Sequence, residues 1–331
     1  MPARRRAMRL VESVRAQLAP ADPARELPEY REPHRAPARP WVSRRTVLVA
    51  AAAVVCGAAA LSLLPGDAPV PAYAITPPML ATTGGGDNAA ARAVLDEIVD
   101  NVRRLPGDTT ASSVNHVRMR SWGLSFTASE DTNWSAIVPF ETRNWLAADG
   151  SGRTDIAWLP PERTWPDPLP AEHRAELPTG TSIERQGAGG HRPAVAGPPA
   201  TDPARLGEQI YAVQPEQNGP KSVVRGIADV CRDWYLPPAV RIAALRLLAG
   251  LPELVLAGET VDRGGRAGVA FAVEQGGQRD LLVVDRRTGV VLSHELVYTR
   301  DPGRLGYLTY PAVATYVLFL ESELVAAVPG A

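Results

Sequence analysis

The chain has 331 residues, 45% hydrophobic and 21% charged, with a formal net charge of −1. That balance excludes a fibrous or fully disordered polymer and a uniformly basic nucleic-acid binder. Only two cysteines occur, Cys56 and Cys231, which excludes a disulfide framework or a cysteine-ligated zinc module, so stability must come from a packed core.

Charge is unevenly distributed along the chain. Residues 1–45 carry eleven arginines against five acids, a net of +6, and the remaining residues therefore carry −7. Seven prolines and little apolar periodicity, apart from a short helix over 7–18, mark this head as largely disordered. Residues 46–64 (TVLVAAAAVVCGAAALSLL) then run without a charge. As a helix rising 1.5 Å per residue they span roughly 28 Å, close to the hydrocarbon thickness of a bilayer. Basic flanks stay inside, so the expected arrangement is a single-pass cell-membrane protein with a cytoplasmic N-terminus and residues 65–331 outside. The basic head is read as lying against an anionic leaflet, with no nucleic acid as partner.

Two other export readings are open. Ser43-Arg44-Arg45-Thr46-Val47-Leu48 resembles a twin-arginine signal, and Ala72-Tyr73-Ala74 has the small-x-small pattern of a processing site. Cleavage near Ala74 would release a soluble exported protein. Against it, the run is longer than an ordinary signal core and ends ten residues before Ala74. Lipid attachment at Cys56 is opposed by Val55, where a small residue is required, and by the apolar run continuing beyond it.

Residues 65–86 read as a linker, broken by Pro65-Gly66, Pro69, Pro71, Pro77-Pro78 and Gly84-Gly85-Gly86. The outer domain, 87–331, opens with a helix capped by Asp87 or Asn88. Its apolar residues, from Val94 to Leu105, recur at spacings of three and four. Strands are expected over 114–127, 134–140, 141–148 and 153–159. The last two flank Asp149-Gly150-Ser151-Gly152 as an antiparallel hairpin. Residues 160–199, rich in proline and glycine, read as a long surface excursion and a candidate partner-binding element. Helices follow over 201–213, where Pro203 sits behind the cap Asp202, then 222–235 and 239–249. A meander of four strands, 254–261, 268–274, 280–285 and 290–298, and a last strand over 312–320 close the chain. The order of strands, helices and strands is α+β, with a mostly antiparallel sheet.

Four motifs carry a resemblance: Pro71-Ala72-Tyr73-Ala74-Ile75-Thr76-Pro77, Thr201-Asp202-Pro203-Ala204-Arg205-Leu206, Arg246-Leu247-Leu248-Ala249-Gly250-Leu251-Pro252 and Asp285-Arg286-Arg287-Thr288-Gly289. Together they resemble an uncharacterised family of single-pass proteins of high-GC Gram-positive bacteria, often encoded beside extracytoplasmic-function sigma factors. The hairpin around Asp149-Gly150-Ser151-Gly152 is more distantly similar to the curved sheets of bacterial lipoprotein carriers and of periplasmic regulators of anti-sigma factors. The resemblance implies a membrane-anchored, sensor-like binding or regulatory protein, with a sigma-factor system as protein partner. The alternative it implies is a lipid or lipoprotein-binding carrier, with a lipid ligand. It transfers no catalytic residue.

No local catalytic, phosphate-binding or metal motif occurs: His294-Glu295 lacks the second histidine of a zinc-protease helix, and Asp149 to Asp155 lacks the alternation of a calcium loop. The expectation is therefore a protein that is not an enzyme, without cofactor or metal. Cys231, within an apolar-periodic stretch, is expected to be a buried small hydrophobe. Trp134, Trp145 and Trp158 sit on expected strands. They are either core or the aromatic wall of a ligand groove, and they are the candidate site residues.

Overall fold

The computed structural model describes residues 48–49, 74–107, 112–128, 133–302 and 308–330. The expected cytoplasmic head and the 46–64 span lie outside the described residues, apart from Leu48–Val49. Those two form a short strand, β1, paired with Thr127 and Ala128. Among the described residues no helix is long and apolar enough to cross a membrane.

The described part is α+β on a mostly antiparallel sheet. Helix α1 (Asn88–Arg103) begins where the Asp87 carboxylate accepts the Ala90 N–H at 3.0 Å, and it buries Leu95, Ile98, Val99 and Val102 along one stripe. A one-turn helix, α2 (Ala171–Arg174), follows much later. Asp202 caps α3 (Pro203–Tyr211) through the Arg205 N–H, with proline at the first helical position. Helices α4 (Lys221–Asp233) and α5 (Pro238–Ala249) complete the set. The α3–α4 crossing is close. A Cβ on Gly226 would lie 2.2 Å from Cγ2 of the buried Ile210, so only glycine admits that approach.

The strands after β1 are β2 (Thr82–Thr83), β3 (Val114–Gly123), β4 (Phe126–Ala128), β5 (Asn133–Ile137), β6 (Phe140–Leu146), β7 (Gly152–Trp158), β8 (Arg163–Trp165) and β9 (Thr181–Gln186). The C-terminal set is β10 (Val255–Val261), β11 (Ala267–Gln275), β12 (Gln278–Val284), β13 (Val291–Tyr298) and β14 (Ala312–Val325). Ten of them pair in the order β2-β10-β11-β12-β13-β14-β3-β6-β7-β9, and β1-β4-β5-β8 make a smaller sheet.

Strand alternation divides the core. Val117, Met119, Phe271, Leu282, Val284, Val317 and Phe319 point to one face and pack with α1, α3, α4 and α5 in the main cluster. Fully burying one such side chain, Phe271 for example, is worth about 1.5–3 kcal/mol. The helical layer is also tied to the sheet by charge. Arg225 on α4 grips Asp280 with two bonds of 2.8 and 2.9 Å, and His294 Nε2 lies 3.0 Å from the same carboxylate. The opposite face carries two smaller clusters, one around Trp122, Ile137, Tyr316 and Leu318, the other around Ala270, Leu281, Val283 and Leu292.

That second face is covered by chain expected to be linker. Residues 74–86 are docked: Ile75 donates its N–H to Ser135 Oγ at 3.1 Å, Ala81 O accepts from Thr260 Oγ1 at 2.7 Å, and β2 pairs with β10. Gly258 makes room for this strap. Its φ is +119°, and a Cβ there would stand 2.2 Å from Thr83 O.

The helices expected between residues 87 and 249, the hairpin β6–β7 and the meander β10–β13 form as read. Besides the linker, three expectations change. The strand 114–127 is two strands in two sheets, interrupted at Leu124, which is buried and pairs its N–H with Ala314 O. The excursion 160–199 contains β8, α2 and β9, and β9 forms an edge of the large sheet because its backbone finds β7 unpaired on that side. Strand β14 runs to Val325, since β3 offers ten residues of partner.

Candidate functional site

The strap and the sheet enclose a cleft of about 490 Å³, lined on one side by Pro77, Pro78, Met79, Leu80 and Ala81. The opposite wall comes from Arg120 on β3, Tyr316 and Leu318 on β14, Ile137 on β5 and Arg263 from the β10–β11 turn, with Glu162 and Arg163 at the small sheet. Register explains the meeting. Arg120 stands directly opposite Leu318, and Tyr316 is opposite both Trp122 and Glu295, so all five side chains share the face turned from the helices.

Arg263 is the hub of this site. Its Nε and Nη2 hold the two oxygens of Glu295 at 2.7 and 2.9 Å, and Nη2 also donates to Pro78 O at 2.8 Å. Its guanidinium lies 5.0 Å from the centre of the Tyr316 ring, which in turn stacks on Trp122 at 6.1 Å. One side chain therefore connects the buried core of the sheet, the cleft and the strap. Burial pushes the Glu295 carboxyl upward and Arg263 pulls it down, with the balance above its ordinary value. Burial also raises the Tyr316 phenol, reinforced by Glu162 and opposed by Arg263 and Arg120, so the hydroxyl stays protonated and can donate.

Arg120 Nη2 donates to Glu141 Oε1 at 3.0 Å, which leaves its buried Nε without a partner among the described residues. Arg118 joins the same network, 3.1 Å from Glu321 and 3.9 Å from Glu141. Arg163 is exposed, and among the described residues its guanidinium makes no hydrogen bond or ion pair.

The three candidate tryptophans do not form a common wall. Trp134 lies on β5 of the small sheet and stacks on His173 at 5.7 Å. Trp145 pairs opposite His116, stacks on it at 4.8 Å and carries the Arg153 guanidinium at 5.4 Å. Trp158 is opposite Phe140 and tilts against it at 5.0 Å. Phe140 and Trp145 are five residues apart on one unbroken strand, an odd spacing, so Trp145 and Trp158 face opposite sides of the sheet. The residues that do meet were read as linker, turn and strand, with Glu162 and Arg163 in the excursion read as a candidate partner-binding element. No spacing connects positions 78, 120, 163, 263 and 316.

Elsewhere the titratable groups hold the fold. Asp233 accepts from the Ala194 N–H at 2.9 Å and lies 3.2 Å from His191 Nε2, which pins the 187–195 segment to the end of α4. Cys231 is buried, and desolvation pushes its thiol up to about 12, far from a thiolate nucleophile. Among the described residues no three histidine, cysteine or acidic side chains gather as a metal site. No protein-family model matches the chain, and no curated protein matches it.

Proposed function

We propose that the chain is a membrane-anchored, extracytoplasmic binding or regulatory module whose ligand site is the cleft beneath the strap. The observation that carries this is the strap itself. The docked strap, which carries wall residues 77–81, begins at Ala74 and is separated only by residues 65–73 from the end of the apolar run at 64. Nine extended residues reach at most about 30 Å, so a ligand in the cleft touches the part of the domain nearest the membrane. Cleavage after Ala74 would leave the strap in place, since its first anchor is the Ile75 N–H. The basic head is the element available to a cytoplasmic partner, for which a sigma-factor system is the proposal.

The carrier reading asks for an acyl-chain groove on the sheet. The helix-covered face is filled by the main apolar cluster, and the cleft on the other face is lined by three arginines, so the recognition reading has the better support. The test is topology at the cleft. Met79 is 39% exposed, and Met79→Cys should react with a membrane-impermeant maleimide on intact cells. Labelling that requires lysis would overturn the assignment. A pull-down of the full chain and of one lacking residues 1–45 should differ in cytoplasmic partners retained.

A further inference from the structure

Resting on the reading of the cleft as a ligand site, we infer that it selects a small organic anion, a single carboxylate or phosphate on a short apolar body. The inference follows from a count of donors and acceptors around the lining. Three guanidinium groups, Arg120, Arg163 and Arg263, and the Tyr316 hydroxyl face one carboxylate, Glu162. The carboxylates that already neutralise two of these arginines, Glu141 and Glu295, are not among the lining residues and are engaged by the bonds described above. What remains open toward the cleft is donor capacity. Arg163 offers a whole guanidinium, the planar fork that matches a carboxylate or phosphate with two parallel bonds. Arg263 offers Nη1, which makes none of its described bonds, and Tyr316 offers an O–H.

The rest of the lining limits the body of the ligand. Pro77, Pro78, Met79, Leu80, Ile137 and Leu318 present hydrocarbon without a polar side-chain atom. A free inorganic ion would leave that surface wet, and an uncharged apolar molecule would leave the guanidinium groups unmatched. About 490 Å³ suits a small molecule, within the range of ordinary ligand sites. Glu162 is exposed, so it can swing into solvent when an anion enters the cleft. The strap carbonyl of Pro78 shares Arg263 with the incoming group, which couples occupancy to the segment leading to the membrane.

The test uses the full chain in nanodiscs of zwitterionic lipid. It is titrated separately with hexanoate, hexyl phosphate, hexanamide and inorganic phosphate, read by tryptophan fluorescence and ligand-observed NMR. Hexanoate and hexyl phosphate should bind saturably and at least tenfold tighter than hexanamide or inorganic phosphate. Arg163→Gln, at an exposed position, should lower hexanoate affinity several-fold and leave hexanamide unchanged. Equal binding of hexanoate and hexanamide, or an Arg163→Gln variant indistinguishable from the parent, overturns anion selection, as does no saturable binding of either organic anion. Met79→Trp, which narrows the mouth, separates the two levels of the argument: organic-anion binding that survives it places the site elsewhere and removes the cleft reading itself.

Discussion

Replacing Arg263 with methionine isolates the hub of the cleft. Glu295 is 1% exposed, and in the parent its two oxygens are held at 2.7 and 2.9 Å by Arg263. Removing one partner of a buried pair costs about 3–5 kcal/mol, because the remaining charge is left in a poor solvent. The cost depends on pH with a definite sign. Glu295 in the folded state sits above its ordinary value of 4.5, so its favourable contribution is complete below that value and is lost as pH rises through the folded one. Without Arg263 the folded value rises further. The deficit of Arg263→Met should therefore be largest near pH 8 and shrink toward pH 5, where Glu295 takes up a proton. The double variant Arg263→Met/Glu295→Leu should regain most of the loss, since an apolar pair of similar volume carries no desolvated charge. At about 2–4 °C per kcal/mol for a domain of this size, the single variant should melt about 6–20 °C lower at pH 8. Thermal and urea unfolding of the full chain at both pH values measures this. A melting point within about 2 °C of the parent at pH 8, or a deficit that grows toward pH 5, would refute the reasoning.

The remaining predictions test the strap, the helix clamp and the free thiol. Gly258→Ala would force a Cβ to within 2.2 Å of Thr83 O at a φ of +119°. It should cost about 2 kcal/mol or more and expose residues 74–86 to limited proteolysis, and an unchanged cleavage pattern would count against a docked strap. Burial raises the Asp280 carboxyl, but the bonds from His294 and Arg225 outweigh it and hold it below its ordinary 3.8. Its contribution is thus complete above 3.8 and lost as pH falls through the folded value. Asp280→Asn should cost about 3–5 kcal/mol at pH 7 and flatten the acid limb of the stability curve. Acid titration by circular dichroism that gives parallel limbs for parent and variant would contradict the clamp. Cys231, buried and raised to about 12, should resist thiol reagents in the folded protein and react once denaturant is added.

The local alphabet of this protein was legible because short-range chemistry decides it. Asp87 and Asp202 start helices by accepting backbone N–H groups three residues on, and Asp149-Gly150 turns the hairpin by itself. The charge split of the chain likewise belongs to the sequence, and the membrane reading rests on it and on the length of one run. Strand ends were less legible, because they depend on the neighbour: β14 is long where β3 pairs with it, and β9 exists because β7 has an open edge.

The cleft belongs to the tertiary structure alone. Pro78, Arg120, Arg163, Arg263 and Tyr316 come from a proline-rich strap, three strands and a turn, brought together by sheet register and by a bulge that shifts pairing near Gly258. Tryptophan, conspicuous in the sequence, marked strands but not a wall, since alternation sends Trp145 and Trp158 to opposite faces. A single residue of register would reverse every such assignment, and periodicity within one strand cannot specify it. The sequence by itself determined the capped helices, the hairpin, the meander and the apolar run, because those depend on neighbours along the chain. Which arginines face one another across a cleft was decided only by contacts between segments far apart in the chain, as in the bond from Arg263 to Pro78, 185 residues away.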